Sequence, residues 1–172
     1  MPLIKLNATL GLTGTLPAVS GANLTGVSAG KILQVVHGIT TTEVSHLSNG
    51  SQVDTGLTAT ITPSATSSKI LVLISQSNKV ERGSAVLLNY ELRLLRDSTT
   101  IEYWDSVCAE EVQNGGSKYG SNHAYHYQDT PSSTSSLVYK TTGRIVSNGG
   151  GRTVIFQDAS APSTITLMEI EG

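Results

Sequence analysis

Residues 69–75 read Lys-Ile-Leu-Val-Leu-Ile-Ser, KILVLIS, and the class of fold turns on them. The run is apolar on both faces, as in a central strand of a sandwich or a strand buried at a subunit contact, and burial on two sides is the simplest account. On its N-terminal side, Thr55 to Thr62 (TGLTATIT) alternates Leu57, Ala59 and Ile61 with polar residues until Pro63 stops it. Further back, Lys31 to Val36 (KILQVV) leads into a polar loop around Ser48, Asn49 and Gly50. On the C-terminal side, Val86 to Arg96 (VLLNYELRLLR) has helical propensity, yet its Asn89, Glu91 and Arg93 alternate with apolar positions and fit a strand nearly as well. Strands are also expected at Thr100 to Trp104, Ala124 to Tyr127, Leu137 to Val146, Thr153 to Gln157 and Thr164 to Ile170, separated mainly by Ser, Gly, Asn and Pro. About eight or nine short strands with turn signals between them predict an all-β fold, an antiparallel β-sandwich or jelly roll. Helix is expected to be minor, the best stretch being Ser106 to Gln113 ahead of Asn114, Gly115 and Gly116.

Composition agrees with that pattern. The 172 residues suit one ordinary domain with something short attached. Charged residues make up 14% and hydrophobic ones 38%, a balance that disfavours long exposed helices. The first 30 residues differ from the rest, with glycines at 11, 14, 21, 26 and 30 and small residues between them. Two readings of 1–30 stay open: an extended stem that orders by wrapping around identical neighbours, or a disordered linker. Residues 31–172 form the head. A net charge of −2 and a pI near 6.0 give no reason to expect nucleic-acid binding, which needs clustered Lys and Arg. No run approaches the ~20 apolar residues of a membrane span. Met1 to Leu16 lacks a basic region followed by an apolar stretch, so a soluble product without membrane insertion is expected. Cys108, the single cysteine, excludes an intrachain disulfide and reads as a small buried apolar residue. The Asn-X-Ser/Thr matches at Asn7, Asn23 and Asn49 are chance products of a Ser/Thr-rich chain.

Tests for chemistry return little. Gly26 to Gly30 (GVSAG) matches G-x-S-x-G, but a hydrolase needs a strand before the serine and a helix after it, and here a Gly/Thr-rich stretch precedes the match and a strand follows. Gly26 to Lys31 imitates a phosphate loop one residue short, with Ile32 where a magnesium-binding hydroxyl belongs. Among His37, His46, His123 and His126 only the last two are close. Residues three apart on a strand face opposite ways, so the pair could share a metal only if the segment is not extended, although a three-fold axis could gather copies of one histidine. Glu110 and Glu111 are adjacent, and Asp105 and Asp129 have no setting that places two carboxyls across a glycosidic bond. No catalytic residue, cofactor or metal ligand is therefore assigned, and the chain is expected not to be an enzyme.

The aromatic residues are unevenly placed. Six of the eight, from 6 Tyr, 1 Trp and 1 Phe, lie between Tyr90 and Tyr127. Tyr103, Trp104, Tyr119, Tyr125 and Tyr127 stand beside Asn, Gln and Asp in the longest expected interruption between strands, Tyr103 to Gln128 with the Gly/Ser-rich centre NGGSKYGSN. Such rings hold sugars or another protein surface, and long loops on a rigid sandwich often carry function. The alternative is that they cap the core or fill a subunit interface. Gly149, Gly150 and Gly151 after Asn148 read as a turn between two strands.

The phrases NLTGVSAGKILQVV, DTGLTATITPSATSSKILVLIS, LRLLRDST, DTPSSTSSLVYK and STITLMEI, taken as a set from about Asn23 onward, resemble a family of phage virion proteins. These are often fibre-like and frequent in phages of aquatic bacteria. LPAVSGANLTG looks like the glycine-punctuated connectors between phage fibre modules. The region from Glu102 to Asp129 departs from these phrases. The resemblance implies a particle component, made in the host cytoplasm and carried on the virion, with no catalytic residues to transfer. It implies a tail-fibre-like homotrimer docking on other virion proteins through residues 1–30 and contacting a host surface glycan or protein. A capsid decoration or head-fibre protein is the alternative, and a polysaccharide-degrading enzyme a minor one. Three-fold burial of a shared apolar face supplies stability that a small core without disulfides lacks, at ~25 cal/mol per Å2.

Overall fold

A computed structural model describes residues 30–46, 50–82, 89–104, 118–146 and 152–172, and for residues 82, 118, 119 and 152 it describes the backbone alone. The strands are β1 (Ile32–Thr40), β2 (Val44–His46), β3 (Val53–Ile61), β4 (Lys69–Arg82), β5 (Tyr90–Arg96), β6 (Thr99–Trp104), β7 (Lys118–Asp129), β8 (Leu137–Ile145), β9 (Arg152–Phe156) and β10 (Ser163–Ile170). One 3-10 turn, Asp158–Ser160, precedes β10. Every strand pair is antiparallel.

Two sheets face each other. In the first, β4 is long enough to serve two partners along one edge, β10 beside residues 69–75 and β9 beside residues 78–82, while β7 runs along its other edge. β1 continues outward from β10 and β2 from β9. The second sheet has the order β3-β8-β5-β6. Setting aside the short β2–β9 pair, the pairings β1–β10, β3–β8, β4–β7 and β5–β6 are the nested ones of a jelly roll. The all-β sandwich expected from the sequence is the fold.

Local sequence explains the elements. In β3 the alternation that begins at Thr55 buries Thr55, Leu57, Ala59 and Ile61 and exposes the residues between, and Pro63 follows the last strand residue by two. Near its start the β3–β8 register shifts between Asp54 and Thr58. Gly56 adopts φ 80°, and its N–H donates to Asp54 Oδ1 at 2.9 Å, so an Asp-capped bulge is built where only glycine is unstrained. Gly143 of β8 is needed for closeness: a Cβ there would lie 2.5 Å from Phe156 Cζ and 3.3 Å from Glu91 O.

The interior falls into two apolar clusters. One contains Leu57, Ile61, Ile70, Val72, Ile74, Leu94, Tyr139, Ile165 and Leu167; the other contains Val80, Tyr90, Leu92, Ile145, Val154 and Phe156. Between them on the strands lie Thr55, Gln76 and Thr141, all fully buried. Thr141 Oγ1 donates to Gln76 Oε1 at 3.0 Å, Thr55 and Thr141 share a hydroxyl contact, and the Gln76 amide reaches Ser163 Oγ at 3.0 Å. The Gln157 side-chain amide and the Ser77 backbone N–H also donate to Ser163 Oγ, at 2.8 and 2.9 Å. These bonds join β4 of the first sheet to β3 and β8 of the second, so polar burial is compensated across the layers.

The structure corrects several sequence expectations. Ala124 to Tyr127 is the middle of a 12-residue strand, β7, which pairs with β4 from Ile70↔Asp129 to Glu81↔Lys118. Much of the expected long loop is therefore ladder, because pairing along β4 overrides the weak strand signal of SNHAYHYQD. The three-residue β2 was not anticipated, since its tie to β9 is non-local. KILVLIS is central as expected, but among the described residues it is covered on one face: Ile70, Val72 and Ile74 point into the core, whereas Leu73 is 37% exposed. The expected stem up to residue 29, the Ser106 to Gln113 helix, Val86 to Leu88 and the Gly149 to Gly151 turn lie outside the described residues.

Candidate functional site

The five aromatic residues singled out from the sequence divide between two directions. Tyr103 of β6 is paired with Arg93 of β5 and points outward, 44% exposed, with the Arg93 guanidinium 5.7 Å from its ring centroid. Trp104, the next residue, points the other way and stacks on Tyr125 of β7, with centroids 4.4 Å apart and planes at 24°. Both pack against the two apolar clusters, and Tyr127 packs against the first. Because β6 ends the second sheet and β7 ends the first, this stack closes one side of the sandwich between their edge strands. Burial pushes the Tyr125 hydroxyl up to about 12. The Tyr119 side chain lies outside the described residues. Thus Trp104, Tyr125 and Tyr127 come together on the inward side, and Tyr103 is left on the outer surface.

The buried carboxylates tie strands and loops together, and Asp129 does so across the two sheets. Arg96 Nη1 of β5 donates to both Asp129 oxygens, at 2.9 and 2.8 Å, and Tyr139 Oη donates to Asp129 Oδ2 at 2.6 Å. Burial, reinforced by the Asp129 carboxylate, moves the Tyr139 hydroxyl far upward from its ordinary value. Glu169 of β10 accepts from Ser64 N at 2.7 Å, Ser64 Oγ at 2.6 Å, Ser68 Oγ at 2.7 Å and Gln34 Nε2 at 2.6 Å, fastening the β3–β4 loop and β1 to one carboxylate. Burial alone would raise its pKa, but these donors outweigh burial and hold it at about 2. Glu91, fully buried on the outer side of β5, lies under Arg93 and Arg144, each 2.7 Å away, and Gln52.

The histidines follow the alternation of β7. His123 is partly buried, bonded to Ser121 Oγ at 2.8 Å, and burial lowers its pKa; His126 faces outward from the other side of the ladder. No cluster of three or more His, Cys, Asp or Glu side chains suited to a metal occurs among the described residues. No helix among them is long and apolar enough to cross a membrane.

The two outer faces differ chemically, a feature not recognised in the sequence. The second sheet presents Asp54 paired with Lys140 at 2.8 Å, the Glu91–Arg93–Arg144 group and Tyr103. The first presents three successive cross-strand rows through β1, β10, β4 and β7: Val35, Met168, Leu71, Gln128; His37, Thr166, Leu73, His126; and Ile39, Thr164, Ser75, Ala124. No Asp, Glu, Lys or Arg occurs in these rows. Ile39 is 62% exposed and Val35 55%. Charges lie at the margins, in Lys69, the Lys31–Glu171 pair, and Lys79 with Glu81 and Asp158. The signal was readable only after the register was known, because a strand with one apolar face toward the core and another toward solvent has the same sequence as one buried twice.

No protein-family model matches the chain, and no curated protein does. Among solved structures it is similar to VP2 of infectious bursal disease virus. A subviral particle of VP2 aligns over 90% of this chain and 44% of that one, at 13% identity and a TM-score of 0.43. T=1 particles of a VP2 mutant align over 90% and 40%, at 16% identity and a TM-score of 0.38. The chain spans about two fifths of the length of those proteins.

Proposed function

We propose that this chain is a non-enzymatic structural protein of a phage particle, a homotrimeric fibre-like module with a jelly-roll head. Residues 1–30 dock it on other virion proteins, and the outer edge around Tyr103 contacts a host glycan or protein. The set of phrases running from Asn23 to the C-terminal STITLMEI supports the particle role. The observation that carries the structural reading is the use made of the buried acids: Asp129, Glu169 and Glu91 are each bound to cations, hydroxyls or amides that tie strands together. Carboxylates bound in this way suit a role in ordering the sandwich. Tyr103 suits a glycan or protein contact because its ring, with Arg93 over it, is 44% exposed on a polar, charged sheet.

Immunogold labelling of intact particles tests the role. Label at the tail is expected, label over the capsid shell would replace the attachment reading with a decoration one, and particles without label would overturn both. Adsorption of particles carrying Tyr103→Ala tests the contact itself, with at least a tenfold loss expected and unchanged adsorption counting against Tyr103. Tyr103 is the suitable target because Trp104→Ala or Tyr125→Ala would disturb the sandwich.

A further inference from the structure

We infer that the outer face of the first sheet, centred on Leu73, is the surface on which copies of this chain pack against one another. The inference rests on the trimer reading and assigns its contact.

Leu71 and Leu73 lie in the middle of the sheet with neighbours on both edges, so no movement of a loop or edge strand within the described residues takes them out of water. Around them, Val35, Ile39 and Met168 widen the apolar area, with Thr, Ser, Gln and the histidines His37 and His126 between. Among the described residues, Asp, Glu, Lys and Arg lie beyond the rows, at Lys69 and the Lys31–Glu171 pair on one side and at Lys79, Glu81 and Asp158 on the other. An apolar centre inside a charged margin is the arrangement of a protein–protein contact.

Size agrees with that occupant. Four strands about 4.8 Å apart and three rows covering about six residues at about 3.4 Å rise give a flat footprint on the order of 400 Å2. A side-chain-covered face has more accessible area than its flat footprint, so the patch supplies a large part of the about 800 Å2 per partner of a standard interface. The chemistry favours another copy over a charged polymer: the rows hold no Asp, Glu, Lys or Arg, and their polar groups besides Thr, Ser and Gln are the two imidazoles of His37 and His126, a sparse set for a chain of phosphates, uronates or basic residues. The second sheet, where Asp54, Lys140, Glu91, Arg93 and Arg144 face outward, is suited to remain in water. A protein turning one sheet inward to its copies and the other outward uses both faces according to their composition.

Native mass spectrometry and light scattering on the full chain test this, comparing wild type with Leu73→Lys and with Ile39→Lys. Thr58→Lys on the opposite sheet is the control. Wild type and the control should be trimers, and the two face variants should fall to monomers with unchanged circular dichroism. Ile39 is on edge strand β1 and 62% exposed, so its variant reports on assembly even if Leu73→Lys fails to fold. A trimer that persists in folded face variants overturns the assigned contact and leaves the trimer reading standing. A monomeric wild type overturns both, and would fit a face covered by residues 1–29 of the same chain.

Discussion

Glu169 shows how one side chain sets a condition on the whole sandwich. Its folded pKa of about 2 lies below the ordinary 4.5, so its contribution is complete above about 4.5 and is lost as pH falls toward 2, where the folded state too becomes protonated. The thermal midpoint of the wild type is therefore expected to drop through that window. Glu169→Gln should lower the midpoint at pH 7 and flatten the acid part of the profile; an unchanged acid slope would assign acid sensitivity elsewhere. Gly143 sets a condition of volume. Gly143→Val places carbon where Phe156 Cζ and Glu91 O already lie, and a loss of about 1–3 kcal/mol is expected from such overpacking. Denaturant unfolding measures it, and Phe156→Leu in the same chain should recover part of the loss, since the ring is what the new side chain meets.

Among the elements, β4 decides most. Its N-terminal half supplies Ile70, Val72 and Ile74 to one apolar cluster and its C-terminal half supplies Val80 to the other, with Gln76 between them. Gln76 is fully buried and bonded to Ser163 and Thr141, so an apolar substitute of similar size removes partners from groups that remain buried. Gln76→Leu is expected to destabilise the protein by about 2 kcal/mol even though it makes the interior more apolar. Urea unfolding with an unchanged m-value checks this, and a neutral result would mean that water replaces the amide. The aromatic element behaves differently from its appearance in sequence. β6 and β7 carry Tyr103 outward and Trp104, Tyr125 and Tyr127 inward, so one compositional cluster serves both an outer surface and the closure of the sandwich.

At the scale of the whole molecule, the contrast between the two outer faces makes stability depend on company. If the apolar face is shared among copies, mass action couples unfolding to concentration, and the thermal midpoint should rise with protein concentration from micromolar to hundreds of micromolar. Calorimetry at several concentrations reads this directly; a midpoint independent of concentration would be the behaviour of a monomer. The nested strand pairing bears on this too, because β1 and β10 come from opposite ends of the head and must meet before the face exists. Most of the fold's ladders, and the face with them, are long-range in sequence.

Strand class was legible because alternation and stop residues are local. TGLTATI before Pro63 and STITLMEI carry their inward and outward positions in their own spacing, and β3 and β10 follow it. The nested pairing, the length of β7 and the existence of β2 were decided by partners distant in the chain, which local propensity does not encode. The same limit applies to the candidate surfaces. Clustering of the aromatic residues was visible in sequence, but which rings turn inward depends on which residue of β6 meets which of β5 and β7. KILVLIS announced that two of its faces are apolar; only the register of β1, β10, β4 and β7 made one of those faces part of the core and the other part of a continuous outer surface, because a side chain's environment is set by the strands beside it and the layer above it.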